Sequence, residues 1–292
     1  MVAAYKVGGH IITISIDGDA SVLDRLLPSF IPFKYNADGD ALFNISVCNV
    51  LSAIPDEDCH LVRDVDTGNG ITRVQKLKDG GYQFHVHDVS GIECALIIAS
   101  PGFTDCRCMI QGNIAMRRFA MNNSLMLVYA FSGATHDTLL VHASVIRHKG
   151  VAYAFTAPSG TGKSTHVANW MRTVEECDMV NDDNPIFRIE EGRPILYGSP
   201  WSGKTPCYRN IRVPLGALMQ IKRDETNYVK ELPPLNSFSV LLTACSSMKW
   251  DETIFQNVCS TVSKLVESIK VAELHCLPDM ASALVCKKYL EG

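Results

Sequence analysis

The stretch Ala157-Pro-Ser159-Gly160-Thr161-Gly162-Lys163-Ser164 carries the strongest chemical signal in this sequence. It fits the phosphate-loop spacing of a small residue, four intervening positions, then Gly-Lys-Ser, with Ala157 where the first glycine normally stands. Glycines at 160 and 162 admit backbone conformations that turn successive N–H groups toward one anion. A helix beginning at the loop would add the positive end of its dipole. Lys163 offers a point charge for β- and γ-phosphates, and the Ser164 hydroxyl suits Mg²⁺. A dinucleotide fingerprint fits less well, because Thr165 occupies the position of its third small residue and Lys-Ser has no role there. The loop therefore reads as a nucleoside triphosphate site, with ATP and Mg²⁺ as the expected ligands.

A phosphate cradle needs carboxylates before it can do chemistry. Asp182 and Asp183 follow the lysine by about twenty residues, at the end of a short apolar segment. One carboxylate can hold Mg²⁺ while another accepts a proton from an attacking hydroxyl. Alone, the pair would read equally well as an Asx-rich turn before Pro185. His142 lies in the apolar run LLVHASVI, on a strand expected to pair with the one feeding the loop. Its imidazole could tune proton affinity near a carboxylate and a phosphate. The run Trp201-Ser-Gly-Lys204-Thr-Pro-Cys207-Tyr-Arg209 offers two cations, and Arg209 could clamp transferring phosphoryl oxygens.

The elements needed to place these groups are readable. Strands are expected at 138–147 and 151–156, followed by the loop and a helix, then strands at 177–181, 186–189, 194–197 and 213–222. Helices are expected near 236–247, 251–268 and 279–290, with a strand at 271–277. The first part reads as β-rich, with strands at 10–16, 41–47, 71–77 and 82–89 separated by turn signals at 36–40, 67–70 and 79–81. Residues 110–131 read as a helix. Charge also divides the chain. Residues 1–137 hold 10 Lys+Arg and 15 Asp+Glu, a net −5, and 138–292 hold 17 and 16, a net +1. The expected fold class is mixed α/β, with a β-rich, acceptor-recognition part at 1–137 and a phosphate-loop catalytic domain with C-terminal helices at 138–292.

With these residues in place, the pattern resembles the HPr kinase/phosphorylase family and its relative, ATP-dependent phosphoenolpyruvate carboxykinase. The resembling elements are Val141-His142-Ala143, VAYAFTAPSGTGKST and Val180-Asn181-Asp182-Asp183, over roughly 138–225. The resemblance, to a divergent bacterial branch, implies transfer of the ATP γ-phosphoryl group to a hydroxyl, with a serine of a protein or peptide, or a small molecule, as acceptor. It implies that Ser159, Gly160, Thr161, Gly162, Lys163, Ser164 and Thr165 bind phosphate. It further implies that Ser164, Asp182 and Asp183 hold metal and that Asp182 and Asp183 divide metal and base duty. The run around Lys204 and Arg209 departs from the family pattern, and these two are expected to face the phosphates from their charge and loop position alone. A carboxykinase-like enzyme of small metabolites and a non-catalytic nucleotide-binding regulator are the alternatives.

Composition excludes several classes. Of 292 residues 47% are hydrophobic and 20% charged, a globular balance. A net charge of −4 argues against nucleic-acid binding, which needs a basic footprint. No apolar run approaches the roughly 18 residues of a membrane span. Eleven cysteines at scattered spacing, without a CxxC, read as reduced thiols packed as small hydrophobes, so the expected location is cytoplasmic. His85-x-His87 and Cys106-x-Cys108 have ligand-like spacing but lack the further ligands of a zinc site. The helical tail is assigned to packing or homo-oligomer contacts.

Overall fold

The computed structural model describes residues 1–37, 39–66, 70–203 and 205–292. Lys204, and the turn positions Asp38 and Thr67 to Asn69, lie outside the described residues. The protein is mixed α/β, with two large mixed sheets, and divides into two compact units, Met1–Gly133 and Ala134–Gly292.

The first unit runs β1 (Val2–Val7), β2 (His10–Ile16), α1 (Ala20–Leu26), β3 (Lys34–Tyr35), β4 (Ala41–Val47), β5 (Cys59–Asp66), β6 (Gly70–Leu77), β7 (Tyr82–Asp88), β8 (Glu93–Ala99), β9 (Asp105–Ile110) and α2 (Ile114–Gly133). Its sheet has the order β3-β1-β2-β4-β9-β8-β7-β6-β5. Gly8 and Gly9, both at positive φ, close the tight β1–β2 hairpin, the conformation a two-residue turn of this hand requires. The expected β6–β7 hairpin forms. The helix expected from residue 110 begins at Ile114 instead. The residues before it, Asp105–Ile110, alternate buried and exposed and pair with β8, so sheet hydrogen bonds take them first. Tyr5, Phe30, Phe33, Phe43, Phe84 and Phe103 are fully buried in this unit.

The second unit runs β10 (Thr138–Leu140), β11 (Ala143–His148), β12 (Val151–Thr156), α3 (Lys163–Thr173), β13 (Cys177–Asp183), β14 (Ile186–Glu190), β15 (Arg193–Tyr197), β16 (Arg212–Arg223), β17 (Tyr228–Glu231), α4 (Pro234–Ala244), α5 (Glu252–Ser268), β18 (Lys270–Cys276) and α6 (Met280–Glu291). Its sheet follows β10-β14-β15-β16-β12-β11-β13, with β18 parallel to β16 and β17 antiparallel to β18. Strands β12, β16 and β18 run parallel, so their C-terminal ends share one edge. β11 runs antiparallel between β12 and β13, which brings its first residues to the same edge.

The strand expected over 138–147 is two strands. Leu140 pairs with β14, whereas Ala143 pairs with β13. Between them the backbone changes partners: Val141 N–H donates to the Pro185 carbonyl and His142 N–H to the Ala244 carbonyl. His142 therefore sits in the break and not within a strand.

The core under this edge is aromatic. Trp170 of α3 is fully buried beside Phe155 and Tyr153, with ring centroids 6.1 and 6.2 Å away. Trp170 Nε1–H donates to His166 Nε2 at 3.0 Å, and His166 Nδ1 lies 3.2 Å from Ser282 Oγ on α6. Accepting at Nε2 fixes His166 as the neutral tautomer with its proton on Nδ1. Burial pushes its pKa down to about 4.

Candidate functional site

The loop after β12 passes through Gly160 at φ 76° and Gly162 at φ 125° before α3 begins at Lys163. A Cβ at either glycine would meet nothing within 4 Å. These glycines are required by their backbone conformation, not by space. Thr156 Oγ1 donates to the His142 carbonyl at 2.9 Å, tying the end of β12 to the break before β11.

Three strand ends then converge. Register places Ala143 opposite Asp183 and Ser144 opposite both Asp182 and Phe155. Asp182 is 3% exposed. Its Oδ1 accepts from Ser144 Oγ at 2.7 Å and from Ser164 Oγ at 3.3 Å, and its Oδ2 from the Thr205 N–H at 3.1 Å. The loop hydroxyl and the buried carboxylate are thus in direct contact, an oxygen pair suited to a hard divalent cation that draws its other ligands from phosphate and water.

Asp183 is more open. Its Oδ1 lies 3.0 Å from His142 Nε2, and its Oδ2 accepts from Asn184 Nδ2 at 2.9 Å. The residue has φ 131°, a region L-residues seldom occupy, at the point where β13 ends and turns. Lys163 Nζ lies 3.0 Å from the same His142 Nε2 and donates to the Ala157 carbonyl at 3.1 Å. Burial pushes the Lys163 ammonium below its ordinary pKa, while Asp183 and Asp182 oppose that shift. One ring nitrogen is therefore shared between an ammonium and a carboxylate. It accepts from Lys163 when it carries no proton and donates to Asp183 when it does.

The segment after β15 closes over the acidic pair. The Gly203 N–H and the Ser202 hydroxyl both donate to the Asp182 carbonyl, the latter at 3.0 Å. A Cβ at Gly203 would sit 3.1 Å from Asp183 Cβ and 3.2 Å from the Asp182 carbonyl oxygen, a tight fit that a side chain would relieve only by shifting its neighbours a few tenths of an ångström. Asn181 anchors the arrangement. It is fully buried, its Nδ2 reaches Ser199 Oγ at 3.2 Å and the Trp201 carbonyl at 3.1 Å, and its Oδ1 accepts from the Asn184 N–H at 3.0 Å. Asn181 and Ser144 were not singled out from sequence. Their one signal was adjacency: Asn181 precedes the Asp pair and Ser144 lies two residues past His142.

Arg209 is elsewhere. Its Nη1 donates to Asp178 Oδ2 at 2.7 Å and to the Met179 carbonyl, beside Arg147, which grips both Asp178 oxygens at 3.0 and 2.7 Å. Burial raises the Asp178 pKa, but the hydrogen bonds from Arg147 and Arg209 outweigh it and hold the carboxyl below its ordinary value. Asp178 lies four residues before Asp182, about 13 Å along an extended strand. The phosphate-clamping position expected for Arg209 is not where its guanidinium lies, because a doubly paired carboxylate at the other end of β13 holds it. The guanidinium that does touch the loop belongs to Arg223, at the end of β16.

The remaining ligand-like spacings dissolve. His85 Nδ1 pairs with Glu93 Oε2 at 2.9 Å, and Cys106 and Cys108 are buried on β9. No group of three His, Cys, Asp or Glu able to hold a metal occurs among the described residues. All eleven cysteines are free, and burial raises the Cys207 thiol above its ordinary pKa. No helix among the described residues is long and apolar enough to cross a membrane.

No protein-family model matches the chain, and no curated protein sequence matches it. Among solved structures, the Hpr(Ser) kinase/phosphatase from Coxiella burnetii aligns over 52% of this chain and 99% of its own, at 12% identity and a TM-score of 0.31. That is a weak structural relation, too distant to carry an argument about this chain's chemistry.

Proposed function

We propose that the second unit is an ATP- and Mg²⁺-dependent phosphotransferase that moves the γ-phosphoryl group to a hydroxyl, with a serine of a protein or peptide as the acceptor class. The observation that carries this reading is the convergence of Lys163, Ser164, Asp182, Asp183 and His142 at one sheet edge. In this reading Ser164 and Asp182 would hold Mg²⁺, which when bound would supply charge neutralisation for the phosphoryl group. The loop N–H groups and Lys163 bind the polyphosphate. Asp183 takes the proton of the attacking hydroxyl, and His142 orients that carboxylate by hydrogen-bonding to its Oδ1.

Thermal denaturation with and without Mg-ATP tests the first part. A ligand that binds only the folded state stabilises it as RT ln(1 + [L]/Kd), about 2.7 kcal/mol at a hundredfold excess over Kd. The melting temperature should rise with Mg-ATP, and Lys163→Ala should abolish the rise. No rise in the wild type rejects nucleotide binding altogether. Transfer of labelled γ-phosphate from ATP to a polypeptide, lost in Asp183→Asn, tests the second part. A thermal shift without transfer to any offered acceptor would instead favour a nucleotide-binding regulator.

A further inference from the structure

The loop has a tie that its motif does not contain. Arg223, an exposed residue at the end of β16, sends Nη2 to the Gly160 carbonyl at 2.7 Å and Nε to the Thr161 carbonyl at 3.2 Å. These are successive carbonyls of the glycine loop. A loop that receives an anion must turn its N–H dipoles toward the anion and its carbonyl dipoles away from it. A carbonyl rotated inward sets negative charge against phosphate. Glycines at 160 and 162 make such rotation easy, and fixing them costs backbone entropy.

A guanidinium is suited to prevent that rotation. It is planar, permanently charged and carries donors in a rigid fork, so it can hold two adjacent carbonyls at once. The loop's own cation, Lys163, is otherwise committed: it lies on His142 and the Ala157 carbonyl. The side chain also forms part of the wall of a cavity of about 410 Å³ that includes Thr165, Asn169, Ile221 and Leu277.

We infer that Arg223 is a positioning residue: it holds the Gly160 and Thr161 carbonyls outward and so preorganises the loop to receive a polyphosphate. This rests on the reading of the loop as a nucleotide site, and it assigns the effect to the phosphate chain and not to the base.

The test uses the intact protein with two probes, Mg-ATP and inorganic triphosphate with Mg²⁺, measured by calorimetry. Wild-type protein that binds neither overturns the nucleotide reading itself. Where the wild type binds, Arg223→Ala should weaken both probes by the same factor, tenfold or more. Amide hydrogen exchange over 159–163 should accelerate in the unliganded variant, while its melting temperature stays within a degree or two of wild type. Arg223→Lys, with no fork, should remain at least threefold weaker than wild type. Unchanged affinity in Arg223→Ala overturns the inference. So does a loss confined to ATP, which would make Arg223 a base or ribose contact, and so does full recovery by lysine, which would make charge alone sufficient.

Discussion

Asp182 and Asp183 are neighbours in sequence with opposite surroundings. Strand alternation sends their side chains to different sides of β13. Asp182 is buried under hydroxyls and a backbone N–H, whereas Asp183 faces His142 and is about a third exposed. On the proposed mechanism the two substitutions should separate. Asp183→Asn keeps shape and one acceptor oxygen but removes the base, so transfer should fall by about 10²- to 10⁴-fold with Mg-ATP affinity nearly unchanged. Asp182→Asn should instead weaken Mg-ATP binding, since it alters the group in contact with Ser164. Single-turnover transfer and calorimetry on both variants check this, and equal losses of affinity would contradict the division. The pair, Lys163, Ser164 and the loop glycines are all visible in the sequence, because they form short local patterns of residue type and spacing. Arg223 is not, since an arginine at the end of a strand has no local pattern that names its partner.

At the scale of elements, α3 is held by a buried polar contact. His166 accepts from Trp170 and lies against Ser282, and burial keeps it neutral with a pKa near 4 against an ordinary 6.5. The folded state therefore binds fewer protons than the unfolded chain between these values. Stability is full above pH 6.5 and falls as the pH drops toward 4, by a total on the order of 3 kcal/mol. Chemical denaturation of wild type and His166→Gln across pH 7 to 4.5 should show a flatter profile in the variant, and identical slopes would reject the assignment. The legibility of elements follows their burial pattern. β2, β6 and β7 alternate or are rich in β-branched and aromatic residues, and they were read. β8, Glu93–Ala99, is from residue 94 onward a continuous buried apolar run that periodicity cannot distinguish from a helix. β5, Cys59–Asp66, lies at the sheet's edge and is largely exposed and polar, so nothing in its composition marks a strand. Residues 138–147 were read as one strand because hydropathy is uninterrupted, while the break at His142 depends on partners 40 to 100 residues away.

For the whole molecule, every residue of the candidate site belongs to the unit Ala134–Gly292. Amide exchange on the intact chain should therefore show Mg-ATP protection at 157–165, 180–184 and 199–207, with none within 1–133. Protection appearing in the first unit would mean that nucleotide binding reaches beyond the elements described for the site. Two classes of fact can be separated at this scale. Residue order carries the local motifs: a glycine loop ending in Lys-Ser, an acidic pair following it, and a shift in charge and texture along the chain. Those follow from residue type and from spacing within one strand, turn or helix. Long-range packing settles which groups meet. It placed His142 between Lys163 and Asp183, buried Asp182 against Ser144 and Ser164, drew Arg209 away to Asp178, and brought Arg223 onto the loop. Each of these contacts joins strand ends or loops distant in sequence, fixed by sheet order and register, and no local periodicity encodes either.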